Sequence, residues 1–240
     1  MSDILGVIRA RNSLRTPFDR ERPVPLEDLR RVLEAARWAP TAHNMQNFEI
    51  VAVDDRRLLE AVGAVERRVS MQFIRENYRQ LSFSEEELRR RKVGLLAARF
   101  PPSWRTPGKL DEEAAAKEPP TALRDALQDS PVLLVIVYDP RTRAPDSDGD
   151  FLGIVSLGCV LENMWLEADA LGIAFHVVSA LGAECVAPQV KALLGIPEPL
   201  RIAFACRLGY PARRSERYLR VRRDVEDFTH HNAFGRKGLG

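Results

Sequence analysis

The chain has 240 residues, 45% of them hydrophobic and 29% charged, which supplies enough apolar material for one large domain or two small ones. Its 36 basic and 34 acidic side chains leave a formal net charge of +2, and this balance excludes a global electrostatic attraction to nucleic acid or to membranes. Three cysteines (Cys159, Cys185 and Cys206) lie on mainly apolar stretches without metal-ligand spacing, and read as buried, reduced thiols of a cytoplasmic protein.

Met1 to Ala10 lacks the charged start and long apolar core of a secretory signal. No run comes close to the roughly 18 apolar residues of a spanning helix, so a soluble protein with no membrane contact is expected. Ile4, Leu5, Val7 and Ile8 predict a short first helix leading into Arg11-Asn12-Ser13-Leu14-Arg15. Pro25 takes the favoured first position of a second helix, whose buried stripe is Leu26, Leu29, Val32, Leu33 and Ala36, and Pro40 ends it. Phe48 to Val53 reads as a strand, Asp54-Asp55 as a turn and Arg56 to Val69 as a helix. Ser84 followed by three glutamates marks another helix start. Phe73 to Pro120, with its Pro-rich run around Trp104, is longer than ordinary connections and reads as a lid-like excursion from the core.

Regular structure resumes with a helix over Thr121 to Gln128. Val132 to Tyr138 is apolar on both faces and therefore predicts a central strand. A long helix from Gly153 to Leu171 ends at Gly172, and Ile173 to Val178 predicts a further buried strand. Val186 to Leu194 reads as a helix stopped by Gly195, and Arg201 to Cys206 as the last strand before a basic tail. The expectation is one α+β domain over 1–240, with 73–120 as its irregular part.

Two clusters carry chemistry. Arg11 and Arg15 flank Ser13, and two fixed cations around a hydroxyl suit a phosphate dianion through charge-assisted, forked hydrogen bonds. In Ala39-Pro40-Thr41-Ala42-His43-Asn44-Met45-Gln46-Asn47-Phe48, the amides of Asn44 and Gln46 could read the donors and acceptors of a flat heterocycle. Alone, each has a plainer reading: solvated helix charges for the arginines, loop bridges for the amides. Competing chemistry is thin. There is no GxGxxG after a strand and no P-loop lysine. His43, His176 and His230-His231 lack metal-ligand spacing, and Ser179 sits in no nucleophile elbow. The arginines from Arg213 to Arg223 lack the interleaved aromatics of a single-strand binder.

Taken together, these motifs resemble those of the FMN-dependent nitroreductase family, whose pattern runs Arg-x-Ser-x-Arg/Lys and then Ala-Pro-Ser-x-x-Asn-x-Gln-Pro-Trp. Thr41 stands for the serine, and Asn47-Phe48 departs from Pro-Trp. Ser156 to Leu166 resembles the family's long central helix, which packs across a dimer interface. Val178-Ser179-Ala180 falls where the family's backbone runs beside the flavin ring, with Ser179-Ala180 in place of Glu-Gly. Leu208-Gly209-Tyr210-Pro211 with Arg220-Val221-Arg222 resembles the closing motif that returns basic groups to the phosphate.

The resemblance implies a central mixed or antiparallel sheet flanked by helices, in a domain-swapped homodimer. It implies FMN held by Arg11, Ser13, Arg15, Asn44, Gln46, Val178, Ser179, Ala180, Arg220 and Arg222. NAD(P)H would be the donor, and nitroaromatics, quinones or related small molecules the acceptors, in ping-pong turnover. No side chain is nominated as a proton donor and no metal is implied. Two alternatives stay open: specialised flavin chemistry of the same fold (dehalogenation, or reaction with oxygen), and a low-turnover flavin-binding scaffold.

Overall fold

In the computed structural model, the residues described are 3–15, 17–65, 80–99, 123–124, 127–213 and 219–239. The chain forms two compact units, one of Met1–Arg67 with Pro119–Ser215 and the other of Arg68–Glu118 with Glu216–Gly240.

The first unit is built on strand β4 (Val132–Tyr138), buried at every position. Side chains alternate across a strand. Val132, Leu134, Ile136 and Tyr138 therefore enter one hydrophobic core, and Leu133, Val135 and Val137 enter another on the opposite face. β4 pairs antiparallel with β1 (Phe48–Val53) on one side and with β6 (Arg201–Gly209) on the other. β5 (Ala174–Val177) pairs antiparallel with β6 and completes a four-stranded sheet in the order β1-β4-β6-β5. The doubly buried run thus occupies an interior position, as its unbroken apolarity requires.

Two helices cover the first face. α2 (Leu26–Arg37) buries Leu29, Val32 and Ala36, and α5 (Phe151–Ala170) buries Leu157, Val160, Met164 and Ala168. Pro25 lies one position earlier than expected, at the cap rather than inside the helix. The opposite face is covered by α3 (Arg56–Gly63), which is capped by Asp55 accepting from Leu58 N–H at 2.9 Å, and by α6 (Ala187–Leu194). Gly195 closes α6 in the left-handed conformation at φ 66°, a geometry that explains the glycine there. α1 (Ile4–Ala10) lies against α5 and buries none of its side chains.

In the second unit, two short parallel strands, β2 (Ser82–Phe83) and β3 (Leu95–Leu96), flank α4 (Glu85–Arg91). Ser84 caps α4 through Glu87 N–H at 3.2 Å. A single-turn helix α7 (Val225–Phe228) carries an Asp224/Asp227 capping box. Only residues 80–99 of the expected excursion are described, and Phe100 and Trp104 lie outside them. The expected helix ends near Val69 and Thr121 fall partly outside as well.

Two expectations need correcting. α5 is by length and composition apolar enough to cross a bilayer, contrary to the reading that no stretch comes close. Its Val160, Met164 and Ala168 are nevertheless fully buried against the sheet, which marks the core helix of a globular unit. The cysteines also differ from one another. Cys206 is buried, Cys159 half-buried and Cys185 exposed, and all three are free thiols.

Candidate functional site

β5 is an edge strand of the sheet, and the arginine arm runs alongside it. Ser13 forms a parallel bridge with Phe175, and Leu14 N–H donates to the Phe175 carbonyl at 3.0 Å. The edge is thereby covered by backbone that carries cations, which meets the hydrogen-bonding demand of an open strand. Arg11 is turned toward α5. Its Nε lies 3.4 Å from Glu162 Oε1, and its guanidinium lies 4.2 Å from the centroid of the Trp165 ring. Trp165 stacks on Phe175 at 5.1 Å and donates its indole N–H to the Asn12 carbonyl at 3.1 Å. Arg15 is exposed and Ser13 half-buried.

The far end of the arm is held as firmly. Phe18 N–H donates to Asp129 Oδ2 at 2.7 Å, Asp19 N–H to the Tyr210 carbonyl at 2.7 Å, and Ala212 N–H to the Pro17 carbonyl at 3.1 Å. The motif Gly209-Tyr210-Pro211 therefore has a structural partner in the chain at 17–19. Gly209 is required by closeness. A Cβ there would meet Pro131 Cδ at 2.7 Å and Phe18 Cδ2 at 2.9 Å.

The stretch expected beside a flavin ring follows β5 directly. Val178 is buried and commits its N–H to the Ala205 carbonyl at 2.7 Å. Ser179 is exposed and opens a 3-10 turn, Ser179–Gly182, that includes Ala180. The arm and this turn thus flank one edge strand.

The amide loop docks on α5 elsewhere. Ala42 N–H donates to Ser156 Oγ at 2.9 Å, and that hydroxyl donates to the Leu152 carbonyl at 2.7 Å. Ser156 precedes Glu162 and Trp165 on the helix, so the loop sits about two turns nearer the N-terminus than the arginine arm. Asn44 and Gln46 are brought together, with Gln46 Nε2 donating to Asn44 Oδ1 at 3.0 Å, and both side chains are exposed. His43, Asn44 and Gln46 all have positive φ, at 50°, 54° and 46°. Left-handed backbone at non-glycine residues is costly, and such strain concentrates at ligand clamps. No sequence periodicity could have shown it. The Asn47 amide is buried with neither polar atom meeting a hydrogen-bond partner, and its Nδ2 is what a Cβ on Gly153 would meet at 3.0 Å.

Arg220 and Arg222 belong to the second unit, where Arg222 Nη1 donates to the Val221 carbonyl at 2.7 Å.

Sequence reasoning missed a polar cluster under the arm, centred on the buried Arg207. Arg207 on β6 stands directly across from His176 on β5. Its Nε donates to His176 Nδ1 at 2.9 Å, its Nη1 lies 2.9 Å from Asp129 Oδ1, and its guanidinium is 4.3 Å from the Phe18 ring centroid. Burial, and then the charges of Arg207 and Arg15, push the His176 pKa down to about 3. Burial also lowers Arg207, against the opposing pull of Asp129. The one visible signal was a charged residue inside the otherwise apolar run Ile202 to Leu208.

This edge-strand architecture has known counterparts. The family model of the nitroreductase family matches residues 8–210. The chain belongs to that family. Its α+β fold matches a Bacteroides fragilis nitroreductase with bound FMN at TM-score 0.60 and 22% identity, over 97% of this chain and 100% of that one. It matches an FMN-dependent nitroreductase from Clostridium difficile at 0.59 and 15%, over 96% and 100%. It matches the hypothetical oxidoreductase YcnD from Bacillus subtilis at 0.62 and 16%, over 97% and 75%. No curated protein matches the sequence. At these identities the structural likeness speaks for the fold.

Proposed function

We propose that this nitroreductase-family chain is an FMN-dependent oxidoreductase that takes a hydride from NAD(P)H and reduces nitroaromatic, quinone or related small-molecule acceptors. The observation that carries the reading is the arginine arm laid along edge strand β5, with the turn at Ser179 at that strand's end. The donor set fits a phosphate monoester joined to a flat ring. Arg15 and Ser13 supply an exposed guanidinium and a hydroxyl, and Glu162 with Trp165 orients Arg11. Because Val178 N–H is committed to Ala205, a main-chain donor to the ring would come from Ser179 or Ala180. When bound, FMN supplies hydride acceptance and donation, while the protein supplies position and electrostatics.

We assign a homodimer to this protein. α5 exposes Phe151, Ile154 and Val155, and α1 exposes Ile4, Leu5 and Ile8. Gly158 lies further along the exposed side of α5, with open space where a Cβ would stand. Exposed apolar side chains on two neighbouring helices favour burial against a second copy. Asn44 and Gln46 would then serve a flavin held mainly by the other protomer, consistent with their place nearer the start of α5.

The test is spectroscopic. Purified protein is expected to show flavin absorbance that NAD(P)H bleaches anaerobically and that a quinone or nitroaromatic restores. The double variant Arg11→Ala/Arg15→Ala is expected to fold and to be colourless, since each charged hydrogen bond to phosphate contributes about 1.5–3 kcal/mol. A yellow double variant would reject the phosphate assignment.

A further inference from the structure

Asp129, His176 and Arg207 have no part in the flavin reading so far, yet they form a connected cluster directly behind the arm. Arg207 is 3% exposed and faces the second hydrophobic core between Leu133 and His176. Stability alone is a poor reason for such a residue, because a well-packed apolar replacement of a buried ion pair is often neutral or better. What the cluster does specifically is fix positions. Asp129 uses one oxygen for Arg207 and the other for the main chain at Phe18. Arg207 also lies against the Phe18 ring and holds His176, the residue after Phe175, to which Leu14 is hydrogen-bonded. The arm is therefore pinned on both sides of Arg15, at Leu14 through the β5 backbone and at Phe18 through Asp129. Arg207 is the group common to both attachments. His176, accepting at Nδ1, carries its proton on Nε2 and is neutral, so it adds no charge that would compete for Asp129.

We propose that Arg207 is a positioning residue of the anion site, acting through Asp129 and His176 to hold the chain at Leu14 and at Phe18 so that Arg15 meets the phosphate of the ligand. The assignment rests on the FMN reading above. A forked guanidinium suits this role, since its separate Nε and Nη1 donors reach His176 and Asp129 at once with the guanidinium carbon 4.3 Å from the Phe18 ring centroid.

The experiment is a fluorescence titration of the full-length protein with FMN and with riboflavin, which has the same ring and no phosphate. Wild type is expected to prefer FMN. Arg207→Lys keeps the charge but not the fork, and is expected to lose about tenfold or more in FMN affinity while riboflavin affinity stays within about twofold. His176→Leu, a milder change that removes the Nδ1 acceptor of the Arg207 Nε–H, is expected to show the same selective loss at about threefold or more, and His176→Gln, which restores an acceptor, to recover it. Should Arg207→Lys fail to fold, the two His176 variants decide. Equal losses for both ligands, or no loss for either, would show a merely structural role and overturn the proposal. A wild type that binds neither ligand would overturn the flavin reading, one that binds both alike would overturn the phosphate assignment, and this proposal falls with either.

Discussion

His176 illustrates how far a neighbour can override a residue's ordinary chemistry. Its burial beside Arg207 and Arg15 leaves a pKa of about 3 in the folded chain, against about 6.5 for an unperturbed histidine. The unfolded chain therefore takes up a proton between pH 6.5 and 3 that the folded chain refuses, and stability is lost as pH falls through that window. His176→Gln has no such group, so its urea midpoint is expected to fall less steeply than that of wild type between pH 7 and pH 4. Parallel curves would mean that the histidine is solvated. The same local view explains what the two motifs could and could not reveal. Arginine and serine spacing was enough to nominate the arm, because a phosphate partner depends on residue type. The contacts of Arg11 join it to Glu162 and Trp165, each more than 150 positions away in the chain, and had no local trace.

Among the elements, regular pieces were the most legible. The strand over Phe48–Val53, the apolar run of β4 and the glycine stops after α5 and α6 follow from short-range rules of alternation and capping. The loop that carries Asn44 and Gln46 obeys no such rule, since it has left-handed residues at 43, 44 and 46 and is tied at Ala42 to Ser156, more than a hundred residues away in the chain. Close approach separates two kinds of substitution. Gly209→Ala forces a methyl against Pro131 and Phe18, with overpacking expected to cost about 1–3 kcal/mol and, because Phe18 anchors the arm, to weaken FMN binding too. Asp55→Ala removes a helix cap far from the arm in sequence, and should cost about 1 kcal/mol with FMN affinity unchanged. Thermal melts with a flavin titration of each variant check both outcomes. Equal flavin affinity in the two would detach Gly209 from the site.

For the assembled protein, the exposed side of α5 is the feature that a lone chain leaves unexplained. Phe151, Ile154 and Val155 recur at helical spacing on a helix whose other side fills the core, so its N-terminal half is apolar on the exposed side as well. Ile154→Glu places a charge in the middle of that stripe. It is expected to convert a dimer into a monomer in sedimentation velocity and to release the flavin, if amides from one protomer serve the other. A dimer that persists with full flavin content would move the interface elsewhere.

Composition, alternation and two short motifs were sufficient for the α+β class, the central strand and the family, because each of these depends on residue type and near neighbours along the chain. Folding alone brought Arg207, His176 and Asp129 under the arm, strained the amide loop and turned Arg11 toward Glu162. Such contacts join positions dozens of residues or more apart, and a buried charge is tolerated only where the packed chain delivers its partners.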